Sequence, residues 1–327
     1  MTEYSSRFAA YMNDMVEYRV SLGYSEKTYA PRLGRLDRFI IEKHPDEKQF
    51  SKDLVMDWIA KRSLEGASTI QDRATIARLF AEYLVSAGCE AYILPKSFVG
   101  GRRAFMPYIF SDRELTNLFS EIDRISDTKR DVLRRCTASV MFRLIYTCGL
   151  RPGEGLHLKR SNVNLDTGEI FITETKLKKD RMVVTSDDML RLMRKYAMQS
   201  EFAGRGDSKY FFAKPDGDGY AYDSEWLEEI MKSSFRKANA DIVGGNLPRV
   251  RVYDLRHRFA SSVLCRWLDE GKNLYNMLPY LRTYMGHNSL SETAYYIHIL
   301  PENLLKSKGI DWDKLDEVIP EDDIWDD

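Results

Sequence analysis

The chain has 327 residues, 43% of them hydrophobic, enough for two domains with cores, and 49 Lys and Arg nearly balance 50 Asp and Glu. No apolar run approaches the length of a membrane span, and the opening MTEYSSRFAAYMNDMVEYRV lacks the apolar block of a secretory signal, so a soluble, cytoplasmic protein is expected. The four cysteines (Cys89, Cys136, Cys148 and Cys265) and five histidines are scattered without CxxC or HExxH spacing, which argues against a disulfide framework and a structural metal.

Residues 1–90 read as helical throughout. The first helix spans Tyr4 to Leu22 and ends at Gly23. A second, capped by Ser25, runs to about Lys43, with Pro31 forcing a late start or a kink. Ser51 opens a third that closes near Gly66, and Ser68 a fourth that closes at Gly88, which makes a compact four-helix unit. Residues 91–110, with two prolines and paired glycines, read as a linker whose Arg102 and Arg103 suit an arm crossing a DNA backbone.

A second unit is expected over 111–308. Ser111 and Glu114 form a capping-box pattern. A helix follows from about Thr128 to Tyr146. The runs Glu169–Thr173 and Arg181–Thr185, separated by a lysine-rich turn, read as a hairpin. Helices recur near 187–201, 223–240, 253–268, 275–285 and 291–298, so the fold class is mainly α with a small β-sheet. Residues 309–327 form an acidic tail, which leaves the rest of the chain net basic. Its apolar Leu315, Val318, Ile319 and Ile324 suggest docking on the protein, on a neighbouring protomer for instance, and its charge equally suits a disordered, solvating tail.

Five residues fall in an order that suits attack of a tyrosine on a DNA phosphodiester: Arg151 in CGLRPGEGLHL, Lys176 in ETKLKKDRMVV, Arg256 in VYDLRHRFA, His287 in YMGHN and Tyr296 in TAYYIHI. Such a reaction needs a nucleophile, charge stabilisation on the non-bridging oxygens and an acid for the leaving oxygen. Rigidly held guanidinium groups answer the second need better than lysine does. Arg151 sits at a helix-helix corner, where Glu154 can orient it or cap the next helix. Taken alone, that reads as an ordinary charged corner. A lysine on a mobile turn can reach a leaving alkoxide, although hairpin lysines are usually solvated, and Lys178 and Lys179 compete with Lys176 for the role. Tyr253 lies one helical turn before Arg256, and His257, about one hundred degrees round the helix, is expected to pack or bridge structurally. Gly286–His287 reads either as a helix C-cap or as a phosphate ligand.

In these residues the chain resembles the tyrosine recombinase, or phage-integrase, family over about residues 111–300. The signature there is an arginine in a GLR corner, a hairpin lysine, a His-x-x-Arg, a Gly-His and a tyrosine shortly after. The resemblance implies an N-terminal four-helix, SAM-like core-binding domain and an α+β catalytic domain. It gives Arg151 and Arg256 the two arginine roles, Lys176 the hairpin lysine, His287 the Gly-His histidine and Tyr296 the nucleophile. Tyr296 is preferred over Tyr295 because Tyr-x-His is completed by His298. Lys27, Arg32, Arg35 and Arg38 are then the expected DNA contacts of the first unit. Tyr253 stands where the family has histidine, which leaves open the group that takes the phenol's proton. The implied partners are double-stranded DNA, three further copies in a tetramer on paired sites, and accessory or sister recombinases. No cofactor, ATP or divalent metal is implied. Integration, excision, transposition and dimer resolution share this chemistry. Supercoil relaxation by a type IB topoisomerase and a non-catalytic DNA-binding homologue are the competing readings.

Overall fold

A computed structural model describes residues 3–62, 65–98, 106–173, 180–215, 220–241 and 247–298. The chain divides into two compact units, Met1–Phe105 and Met106–Asp327. Among the described residues no helix is long and apolar enough to cross a membrane.

The first unit holds α1 (Ala9–Ser21), α2 (Glu26–Lys43), α3 (Lys52–Ile59) and α4 (Ala67–Ser86). Phe8, Phe50 and Phe80 meet edge to face at its centre, with Met12, Met15, Leu33, Leu36 and Leu54 buried around them. The first helix starts later than its apolar spacing implies. The buried Asp37 carboxylate accepts from the backbone N–H groups of Ser5 and Ser6, at 2.8 and 3.0 Å, and holds that segment out of the helix. Pro31 neither delays nor breaks α2, which runs from Glu26 through the exposed proline. Ser51 caps α3 by accepting from Leu54 N–H. That helix stops at Ile59 rather than near Gly66, because Ala60 turns extended and gives its carbonyl to Arg73. Gly66, not Ser68, is the N-cap of α4.

Much of the expected linker packs on one unit or the other. Tyr92 N–H donates to Phe50 O, Arg78 donates to Leu94 O, and Leu94 is buried in the first core. Tyr108 and Phe110 pack with Phe235 in the second. Arg102 and Arg103 lie outside the described residues, as does the acidic tail.

The second unit contains α5 (Asp112–Asp123), α6 (Arg134–Thr147), α7 (Pro152–Leu156), an antiparallel pair β1 (Glu169–Ile172) and β2 (Arg181–Val184), α8 (Asp187–Phe202), α9 (Ser224–Ala238), α10 (Tyr253–Asp269), α11 (Leu274–Met285) and α12 (Leu290–His298). The Ser111–Glu114 capping box opens α5 with both reciprocal bonds made. The next helix starts at Arg134, not Thr128. Asp131 is drawn into a buried cluster, accepting from Arg205 at 2.9 Å and from Tyr222 Oη at 2.6 Å, so 128–131 closes as a turn. The β ladder pairs Glu169 with Val184 and Ile172 with Arg181. One core joins α5, α6, α8 and α9 with the sheet, and a smaller one joins α10, α11 and α12. The functional side chains converge where α6, α7, α10, α11 and α12 meet.

Candidate active site

The site starts at the end of α6. Gly149 has φ +59°, and a Cβ there would collide with the Phe259 ring, so only glycine makes this turn without displacing α10. Two residues later Arg151 is the N-cap of α7, with Pro152 as the first helical residue. Glu154 reaches back to accept from Arg151 N–H at 2.8 Å and from its Nη1 at 2.9 Å. The same carboxylate takes a bidentate pair from Arg181, at 2.9 and 2.7 Å. Burial alone would raise the Glu154 pKa, but Arg181 and Arg151 bring it down to about 2. Burial likewise works against the Arg151 charge, and Glu154 more than restores it, so its pKa is raised.

Three arginines meet at the C-terminus of α11. Tyr284 O accepts from Arg181 Nε at 2.8 Å, Met285 O from Arg256 Nη2 at 2.8 Å and Gly286 O from Arg151 Nη2 at 2.7 Å. A helix end leaves such carbonyls without partners and carries partial negative charge, so it draws cations. Each arginine is thereby fixed by one of three consecutive carbonyls. Gly286 caps the helix at φ +66° and turns the chain into His287.

Arg256, on the first turn of α10, is fully buried and donates its other Nη to Gly149 O at 2.6 Å. Its Nε is buried without a partner among the described residues. Burial lowers its pKa, and the nearby Arg151 adds to this. Its guanidinium lies close enough to the Tyr296 phenol to favour the phenolate. Tyr296 is 3% exposed. Burial pushes its pKa well above the ordinary tyrosine value, against the pull of Arg256. His287 stacks on the Tyr296 ring at 5.8 Å and 13°, with Nδ1 2.8 Å from Thr293 Oγ1. Burial and then Arg256, Arg151 and Arg181 press this imidazole down to about 2, so it is neutral near pH 7. Tyr253 lies beside Arg151. A cavity of about 570 Å³ opens beside Arg151 and Tyr253, lined also by Asn162, Phe171 and Tyr210.

The structure therefore brings Arg151, Glu154, Tyr253, Arg256, His287 and Tyr296 together. Tyr295 sets its ring at an angle to Tyr296, 6.1 Å away. Lys176, Lys178 and Lys179 lie outside the described residues. Lys27, Arg32, Arg35 and Arg38 are on α2 in the other unit, where Arg32 and Arg35 both pair with Asp72, at 2.9 and 3.0 Å.

Three residues escaped the sequence reading. Arg181 reads in the sequence only as the first residue of the second hairpin strand. Thr293 had no local signal. His257, expected to pack or bridge structurally, lays its ring 5.0 Å from Tyr253 and 5.5 Å from Tyr296, with Nδ1 buried and unpartnered among the described residues. Its position four residues after Tyr253 on one helix was the available clue.

Residues 117–303 match the model of the phage integrase family. The putative integrase/recombinase y4rE of Sinorhizobium fredii is 30% identical over 89% of this chain and 92% of its own. The tyrosine recombinase XerC of Staphylococcus saprophyticus is 23% identical over 86% and 88%. In fold, the chain is similar to the XerH site-specific recombinase bound to palindromic difH substrate (TM-score 0.62, 17% identity, 85% of this chain and 77% of that one). It is also similar to the Tn1549 transposon integrase in complex with transposon right end DNA (TM-score 0.63, 15% identity, 88% and 93%). The chain belongs to the phage integrase family. It is a tyrosine-type site-specific recombinase, an enzyme that cleaves and rejoins DNA strands.

Proposed function

We propose that this recombinase acts through a 3′-phosphotyrosyl intermediate with Tyr296 as the nucleophile. The observation that carries the reading is the buried Tyr296 ring stacked on His287 and near Arg256, whose guanidinium is locked on Gly149 O and Met285 O. The scissile phosphate enters beside that guanidinium, and Arg151 and Arg256 hold its non-bridging oxygens. In the tautomer in which Thr293 donates to Nδ1, His287 carries its proton on Nε2 and hydrogen-bonds the phosphate through it. Tyr253, beside Arg151, adds a hydroxyl where a histidine is usual. The phenol gives its proton to water as its oxygen bonds to phosphorus, the bond to the 5′ oxygen breaks, and Lys176 protonates that oxygen. The 5′-hydroxyl of a partner strand then reverses the step, and no ATP is consumed because the phosphotyrosine conserves the bond.

Double-stranded DNA is the substrate, and four protomers on two paired sites are the exchanging assembly. The biological reading is integration, excision or transposition of a mobile element. The names of the integrase/recombinase relative and of the transposon integrase of like fold support it.

The test is covalent capture. Wild-type protein incubated with a pool of nicked random-sequence duplexes forms an SDS-resistant adduct. Tyr296→Phe forms none while still shifting duplex DNA in a gel. An adduct from Tyr296→Phe would assign the nucleophile elsewhere.

A further inference from the structure

Arg181 is the first residue of β2, at the rung where the ladder ends against Ile172, and Lys176 lies five residues before it in the sequence. Its side chain leaves the sheet for the interior and is 6% exposed. There it binds two things at once: both carboxylate oxygens of Glu154, and the carbonyl of Tyr284 at the end of α11. Gly286 leaves room for it, since a Cβ there would lie 3.0 Å from Arg181 Nη1. No surface lysine-type contact accounts for this arrangement. A planar guanidinium spends all three nitrogens in fixed directions, and two of its partners are themselves partners or chain neighbours of the groups that hold Arg151 and His287.

The geometry points to Arg181 as a positioning residue that registers the hairpin, and the acid it carries, against the phosphate-binding arginines. The inference rests on the reading of Lys176 as the acid. Arg181 touches no reacting atom. It ties the return strand of the hairpin to the carboxylate that fixes Arg151 and to the helix end that fixes Arg256 and His287. With that tie intact the acid approaches the leaving oxygen on the same frame that grips the phosphate. With it lost, the grip survives through the remaining Arg151–Glu154 and Arg256 bonds while the acid loses its register.

A leaving group that needs no proton separates the two effects. A duplex recovered by covalent capture on the wild-type protein is resynthesised with sulfur in place of the 5′-bridging oxygen. The tyrosine–phosphorus bond then forms as the phosphorus–sulfur bond breaks, and the thiolate departs without an acid, its pKa being far below that of an alkoxide. Arg181→Lys keeps the charge beside Glu154, and Arg181→Gln removes it. Each is compared with Lys176→Ala for adduct formed per DNA-bound molecule. On the oxygen substrate both Arg181 variants fall roughly 10²-fold or more, the contribution of a placed general acid. On the sulfur substrate both return to within about tenfold of wild type, as Lys176→Ala does. An equal loss on both substrates would place Arg181 in the phosphate grip and overturn the proposal, and so would an undiminished oxygen reaction. Rescue of the Arg181 variants without rescue of Lys176→Ala would leave the positioning role standing and remove Lys176 as the acid.

Discussion

At the scale of single residues, the site is a cluster of positive charge that holds its neutral groups neutral. Arg151, Arg181 and Arg256 surround His287, whose pKa falls to about 2, and burial with Arg251 and Arg256 takes His257 to about 3. Both histidines titrate near 6.5 when the chain unfolds, so the unfolded state binds two more protons below that pH. Stability is therefore fully present above about pH 6.5 and lost progressively as the pH falls toward 3. Urea unfolding of the second unit should lose about 2 kcal/mol between pH 7 and 5.5, and His287→Gln should lose about half of that. Glu154, held down to about 2, does not contribute in this window, because its stabilising charge is lost only below its ordinary range near 4.5. A flat wild-type profile across that interval would mean that the histidines are solvated rather than buried.

Among the elements, the turn between α6 and α7 decides the site. Gly149 supplies the left-handed backbone, the close approach to Phe259 and the carbonyl that holds Arg256. Gly149→Ala should cost roughly 3 kcal/mol, the left-handed penalty plus the displaced ring. It should reduce the covalent adduct more than it reduces DNA binding, since the damage falls on Arg256. Thermal unfolding and adduct yield measured on the same variant check both parts, and unchanged values for both would count against the turn's role. The cysteine-glycine-leucine-arginine-proline string announced a helix stop and a helix start at this place. It did not announce that α11 would end opposite, because that packing joins residues more than 130 positions apart.

At the scale of the whole molecule, Arg35, Arg38, Lys43, Lys61, Arg62 and Arg73 of the first unit line a cleft of about 550 Å³, with Glu42, Asp57 and Glu65 among them. Phosphate contacts release counterions, so they appear as salt dependence. Arg35→Gln with Arg38→Gln should weaken binding to any duplex and reduce the slope of log affinity against log salt by about one to two. The lower figure applies if the Asp72 pairing already holds Arg35 away from DNA. Equal slopes for wild type and the double variant would put the cleft outside the DNA interface.

The sequence by itself determined the number and order of nearly all the elements, the hairpin, the Ser111 capping box, and Arg151, Arg256, His287 and Tyr296 as the residues to watch. These are local properties: apolar period, caps and glycine turns act over a few residues, and the motif strings are short. It erred at element ends such as Tyr4, Thr128 and Gly66, where buried Asp37, Asp131 and Arg73 draw backbone segments out of the expected helices. Only the tertiary structure decided that three arginines share the end of one helix, that Arg181 belongs with them, and that His257 lies between two tyrosines. Those facts depend on long-range packing of α7, α10, α11, α12 and β2. An arginine in a basic run reads the same whether it meets water or, as Arg181 does, a buried carboxylate and a helix end.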